Sequence, residues 1–563
     1  MTQKTVVAAA LGECVHVAGV SNFLRLAESA GWRTIFLGPA VPVDEVLAAA
    51  RREQADLVGV SYRLTPENGE RLLGLFAEEA AELHEEGVRF AFAGTPPVAQ
   101  KAAQLGNFFE RVFDGSETPE QVLAWLKGQP ARDLGEADFP QTTVERILWK
   151  RPYPILRHHF GLPTLEATLA GIEQIARAQV LDLISLGTDQ DAQENFFHPE
   201  RQDPRRTGAG GVPVRTPDDF LALYAASRRG NFPMLRAYSG TDDFIRYAEM
   251  LVGTIHNAWC AIPLFWFNQM DGRGPWDLEG SIREHQAVMR WYGERGIPVE
   301  LNEPHHWGMR DASDVTFVAA AFLSAYNAKQ YGVKDYIAQF MFNSPPGTSD
   351  AMDLAKMLAA QELITPLSSP HLAAQNGGTE GGFRIWTQTR IGLLSHPLDD
   401  QSARGHLAAS TYLQMALRPD IYHIVGHTEA DHAATADDII EAVKITRRAI
   451  QNAMGAPDMR QAPEVQARKE ELIAETRALL DAIRELAPSG VADPWADPVT
   501  LTRSVTLGLM DAPQLRNNKF GRGETRTRIV DGKSVAVDES GQPLSEVQRV
   551  ESILSRSRMG KSQ

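Results

Sequence analysis

The chain contains only two cysteines in 563 residues, Cys14 and Cys260, far apart and outside any Cys-x-x-Cys spacing. That excludes a disulfide framework and a thiolate zinc or iron–sulfur site, and it makes a reducing compartment the default expectation. Uninterrupted apolar runs of about 18 residues are also missing, and the start leads only into the short stretch Val6 to Leu11, so neither a membrane span nor a secretory leader is expected. Excess positive charge is lacking too. With 56 Lys+Arg against 72 Asp+Glu the formal net charge is −16, which leaves no overall field to hold phosphate backbones. These absences predict a cytoplasmic protein with no nucleic-acid or membrane partner. Hydrophobic residues at 43% and charged residues at 23% are ordinary for a folded globular chain of several domain-sized units.

The first 128 residues alternate short β-type runs with amphipathic helical patterns. Thr5–Leu11, Thr34–Leu37, Leu57–Val60, Arg89–Ala93 and Arg111–Phe113 read as strands, and Val20–Ala30, Val43–Arg52, Glu67–Glu86 and Pro119–Lys127 as helices. This is the pattern of a doubly wound (flavodoxin-like) α/β domain, whose ligand-binding loops follow its strands at Gly12, Ser61 and Ala93. Residues 129–163 mix Pro, Gly and charge and read as a linker. Residues 164–455 again alternate strands and helices, among them Val180–Leu186, Pro233–Leu235, Ile262–Phe267, Pro298–Leu301, Tyr336–Phe342, Phe383–Trp386 and Ile421–Val425, which predicts a (β/α)₈ TIM barrel. Polar residues at the strand ends, including Asp189, Gln190, Arg236, Glu303, His305, His306, Gln388, Arg390 and His427, fall on the face where barrel enzymes hold their sites. A C-terminal extension, 456–563, carries one amphipathic helix at Glu464–Leu486 and a hairpin about Asp531-Gly532. The last twenty residues read as a loosely held tail.

Gly12-Glu13-Cys14-Val15-His16-Val17-Ala18-Gly19 follows the first strand, Ser61-Tyr62-Arg63 the third, and Ala93-Gly94-Thr95 the fourth. On those residues the domain resembles the cobalamin-binding domain of vitamin B12-dependent mutases and methionine synthase, with its Asp-x-His-x-x-Gly, Ser-x-Leu and Gly-Gly pattern. The resemblance implies His16 as the axial cobalt ligand, with Gly19, Ser61 and Gly94 lining the pocket for the nucleotide tail. Cys14, Arg63 and Ala93 stand where the family has Asp, Leu and Gly.

The remainder is similar to the barrel subunit of the adenosylcobalamin-dependent glutamate mutase. Ile424-Val425-Gly426-His427-Thr428-Glu429-Ala430 and Thr506-Leu507-Gly508-Leu509-Met510-Asp511-Ala512-Pro513 resemble its last strand and C-terminal cap. That likeness implies Arg236 as a substrate-carboxylate anchor, Asp189 and Gln190 as substrate contacts, Glu303 and Cys260 at catalytic positions and His427 near the corrin. The adjacent His305 and His306 would point opposite ways on an extended chain, which disfavours a metal site between them. The acidic stretch 187–194, where the mutase keeps an arginine, argues against a dicarboxylate substrate. The resemblance thus implies an adenosylcobalamin-dependent mutase acting on a small amino or hydroxy acid other than glutamate, as a homo-oligomer. The alternatives are a corrinoid methyltransferase, or a cofactor-free barrel enzyme or ligand-sensing scaffold on a degenerate cobalamin-binding fold.

Overall fold

The computed structural model describes residues 3–115, 117, 119–128, 135–368 and 382–559, divided into two compact units, 1–133 and 134–563. In the first unit, β1 (Thr5–Leu11), β2 (Arg33–Val41), β3 (Leu57–Tyr62), β4 (Arg89–Gly94) and β5 (Arg111–Phe113) form one parallel sheet. Its order is β2-β1-β3-β4-β5, the flavodoxin-like winding. β1 and β3 are buried along their whole length, as continuous apolar strands covered on both faces must be. Edge strand β2 is largely exposed. The winding reverses between β1 and β3, so the loops after those two strands flank the crevice where such sheets take ligands. The stretch read as one helix, 67–86, is two, Pro66–Glu79 and Ala81–Glu85.

The second unit is an eight-stranded parallel sheet of β6 (Ile155–Phe160), β7 (Leu183–Leu186), β8 (Met234–Ala237), β9 (Cys260–Ile262), β10 (Val299–Leu301), β11 (Asp335–Phe342), β12 (Arg384–Ile391) and β13 (Ile421–His423). The order β8-β7-β6-β13-β12-β11-β10-β9 nearly closes. Backbone bonds Ala258 N–H to Leu235 O (2.9 Å) and Ser239 N–H to Ala261 O (3.3 Å) join the two edges, which makes it a TIM barrel. Its first strand lies inside the 129–163 stretch read as a linker, and the helix Thr143–Lys150 precedes it. Prolines at 152 and 154 and the polar Arg157-His158-His159 disguise that strand. Positions 129–134 of the stretch lie outside the described residues.

Beyond the barrel, the helix Pro463–Arg484 packs on the barrel helices Asp314–Gln330 and Asp350–Ile364. A buried ion cluster ties the extension down: Lys356 Nζ meets Asp353 (2.7 Å) and Asp314 (3.3 Å), and Arg468 and the Ser534 amide donate to Asp314. The hairpin β14 (Arg526–Val530) and β15 (Lys533–Val537) turns at Asp531 (φ 49°) and Gly532 (φ 76°), the two positive angles a two-residue turn of this hand requires. The predicted tail is instead helical at Glu546–Met559, with buried Arg549 paired to Glu546 and donating to the carbonyls of Gly508 and Leu509. No described helix is long and apolar enough to cross a membrane.

Candidate functional site

At the reversal point of the first unit, β1 is followed by Gly12 at φ 61°, where an added Cβ would come within 2.6 Å of Leu72. The chain turns through Glu13 and buried Cys14 to exposed His16. An added Cβ at Gly19 would meet nothing within 4 Å, so open space lies beside it. Ser61, at the end of β3, is 8% exposed and its hydroxyl has no hydrogen-bond partner. Gly94 is demanded by packing, since a Cβ there would sit 2.7 Å from the Tyr62 carbonyl and 2.8 Å from Phe92. An exposed imidazole, an orphaned buried hydroxyl and an open glycine face around one crevice fit a bulky cofactor.

In the barrel, strand alternation sorts the interior into layers. Ile155, Leu183, Met234, Ile337, Trp386 and Ile421 close the floor with Trp259, Ala261 and Ile147. Two residues further along their strands come Arg157, Ser185, Arg236, Gln339, Gln388 and His423. Glu300 on β10 joins them, in register with inward-facing Ala261. All of these are buried. Arg157 donates to Ser185 Oγ (2.9 Å) and meets His423 Nδ1 (2.6 Å), while Arg236 Nε donates to the same hydroxyl (3.1 Å). Glu300 accepts from Trp259 Nε1 (2.6 Å) and lies 3.9 Å from Arg236. Gln388 donates to Gln339 (2.9 Å), which in turn contacts His305. Above them, His159 stacks on Tyr238, and Arg390 is buried beside β11.

This interior is electropositive. Arg157 and Arg236 are buried against one middle-layer carboxylate, Glu300, and Arg390 also faces Glu429 above it; Arg157 Nε, Arg236 Nη1 and Nη2, and Arg390 Nε have no hydrogen-bond partner. Burial, reinforced by Arg236, lowers Arg157 to about 9. Burial raises the Glu300 carboxyl, but Arg236, Arg157 and Trp259 outweigh it and hold the group below the usual range. His159 and His423 are pushed well down by burial and by Arg157, so both imidazoles stay neutral. Unsatisfied guanidinium N–H groups in a dry interior are costly unless an anion completes them.

Arg236 stands in this lumen. Gln388 and Arg390, also singled out from the sequence, line it as well, and the remaining positions are placed differently. Cys260 packs with Phe244, Val288 and Tyr292 behind the sheet, because β9 turns Trp259 and Ala261 inward, and burial drives its thiol far up. A one-residue offset in register explains the misplacement. Glu303 is fully committed: it accepts from the Leu264 and Phe265 amides (2.6 and 3.0 Å) and from Trp307 Nε1 (2.6 Å), so it shapes the loop after β9. Asp189 caps the helix Gln190–Glu194 and takes a two-pronged bond from Arg215 (2.8 and 2.6 Å), and Gln190 is exposed and accepts from Arg206. Neither enters the lumen.

The acidity of 187–194 is thus neutralised locally, by Arg215 and by Arg206 on Asp191 and Glu194, and the argument drawn from it against a dicarboxylate falls. His305 and His306 lie on the short helix Glu303–Gly308 with ring centroids 4.5 Å apart, not on an extended chain. His427 is buried after β13, with Nδ1 unpartnered and Nε2 3.9 Å from Glu441. Arg157, Ser185, Glu300 and His423 went unnoticed in the sequence. Of these, Arg157 alone carried a signal, a polar residue two from His159 within one strand.

Burial raises the Glu303 carboxyl to about 7 against the pull of its three donors. A carboxyl whose folded pKa lies above its unfolded value stabilises the fold at low pH, and that contribution is lost as pH rises through the folded value. Urea unfolding is therefore expected to show stability falling from about pH 4.5 to about pH 7, by up to about 1.4 kcal/mol per pH unit, and levelling off above, with a flatter profile in Glu303→Gln.

Residues 4–123 match the family model of the B12 binding domain, so the first unit is a B12-binding domain. Glutamate mutase sigma subunit 1 of Haloarcula marismortui is 28% identical over 138 residues, 22% of this chain and 84% of that protein. Among solved structures, a cobalamin-binding protein from Desulfitobacterium hafniense matches at 20% identity and TM-score 0.18, covering 20% of this chain and 53% of that one. The methanol:cobalamin methyltransferase complex of Methanosarcina barkeri matches at 23% identity and TM-score 0.19, covering 23% and 48%. The chain spans about half the length of these two solved chains.

Proposed function

We propose that this protein is a cobalamin-dependent radical mutase that rearranges a small 2-amino or 2-hydroxy acid inside its arginine-lined barrel. The observation that carries the reading is the set of buried, incompletely bonded guanidiniums of Arg157, Arg236 and Arg390, on the same chain as a B12-binding domain. His16 would hold cobalamin, with the open side at Gly19 and the Ser61 hydroxyl receiving its tail. Adenosylcobalamin, when bound, would supply radical chemistry based on homolysis of its cobalt–carbon bond.

The barrel's own residues do the rest. Arg236, its Nε anchored on Ser185, offers both terminal nitrogens to a substrate carboxylate in a fork. Arg157 shares Ser185 and is steadied by neutral His423, so the two guanidiniums keep a fixed spacing. Glu300 limits their mutual repulsion and presents an acceptor to a hydroxyl or ammonium group. The apolar floor and the His159–Tyr238 stack exclude water, which strengthens these contacts.

The test is label transfer. The chain is incubated without oxygen with adenosylcobalamin deuterated at its 5′ carbon and a panel of 2-amino and 2-hydroxy acids. Deuterium appearing in one acid and its rearranged isomer is the expected result. Turnover with methylcobalamin in place of the adenosyl form would overturn the mutase reading in favour of methyl transfer.

A further inference from the structure

We infer that Cys14 is the positioning residue of His16, its sulfur standing where a carboxylate oxygen would hold the imidazole of an axial cobalt ligand. The inference rests on the cobalamin reading above and concerns what this chain does differently within it. Cys14 is fully buried in the apolar cluster of the first unit. Its backbone is pinned on both sides: its amide donates to Leu11 O (3.2 Å), and its carbonyl accepts from the Ala40 amide (2.9 Å). The preceding turn is tied to β2 by the Gly12 amide on Val41 O (2.9 Å). The thiol is therefore a fixed post at the carboxyl end of the sheet's central strands. His16, two residues on and exposed, places Nδ1 3.9 Å from Sγ.

That contact leaves Nε2 as the free nitrogen of the ring. A metal-bound imidazole normally gives its other N–H to a strong acceptor, which orients it and raises its basicity, and loss of such a partner costs 10- to 100-fold in metal affinity. A thiol sulfur is a weak acceptor. Cys14 thus supplies orientation while adding little basicity, and His16 is a softer ligand than a carboxylate-backed histidine.

The test compares the full chain with Cys14→Ala, Cys14→Ser and Cys14→Asp, loaded with cob(II)alamin and read by electron paramagnetic resonance, where nitrogen superhyperfine splitting reports histidine on cobalt. Affinity is read in parallel by absorbance titration. Cys14→Ala is expected to lower the histidine-bound fraction and weaken binding about 10-fold, with Cys14→Ser between it and the unsubstituted chain. Cys14→Asp is expected to raise both above the unsubstituted chain. If burial of the new carboxyl prevents that variant from folding, the alanine and serine variants decide. Identical splitting and affinity in the unsubstituted, alanine and serine proteins would overturn the inference while leaving the cobalamin reading intact. Failure of the unsubstituted chain to bind cob(II)alamin would overturn both.

Discussion

Replacing Arg236 by methionine is expected to cut kcat/KM for the natural substrate by roughly 10²- to 10⁴-fold, the equivalent of about 3–5 kcal/mol for a lost charge-assisted fork in a dry site. Thermal stability should hold or rise. That pairing of outcomes separates a ligand anchor from a structural arginine. A guanidinium whose Nη1 and Nη2 both lack partners costs the empty fold free energy, and Arg157 remains to balance Glu300 when it is removed. An arginine kept for stability would instead take several kcal/mol with it. Arg236→Lys is expected to recover little activity, because a point charge cannot reproduce the planar fork. Steady-state kinetics and calorimetry on the same preparations check both halves.

Glu300→Gln is expected to do the reverse, lowering stability at neutral pH by about 3–5 kcal/mol, because it strips the middle-layer carboxylate from beside two buried guanidiniums. The amide oxygen can still accept from Trp259, so the loss reads the charge rather than the hydrogen bond. Arg157 and Arg236 hold the Glu300 carboxyl below its unfolded pKa. Its stabilisation is therefore present above about pH 4.5 and is lost as pH falls through the lower folded value. The gap between the two proteins should close in acid. A bound anionic substrate should also raise Tm more in the variant than in the unsubstituted chain, since it supplies the missing negative charge to a lumen that needs it more. Urea titrations across pH and thermal shifts with substrate measure each effect.

The doubly wound domain was legible because its central strands are short apolar runs buried on both faces, separated by amphipathic helices. The position of the Gly12–Gly19 loop at the reversal point followed from that winding. The barrel was legible as a class but not in register. Its strands alternate between an apolar shell against the helices and a polar lumen, so β6, with Arg157 and His159 facing in, looked like a charged linker between prolines. The same alternation misassigned Cys260, since a strand read one residue out exchanges its inner and outer faces. Asp189 and Glu303 were recognised as polar loop residues, but no sequence pattern states that their oxygens are already taken by Arg215 and by the amides of Leu264 and Phe265. Partners distant in sequence decide whether a carboxylate is free for chemistry.

A dark, anaerobic titration of the full chain with adenosylcobalamin, followed by absorbance beside His16→Ala, tests the central claim most directly. The account predicts tight binding with a base-off, histidine-on spectrum that the substitution abolishes. No binding up to about a millimolar cofactor, a free energy weaker than roughly −4 kcal/mol, would contradict it.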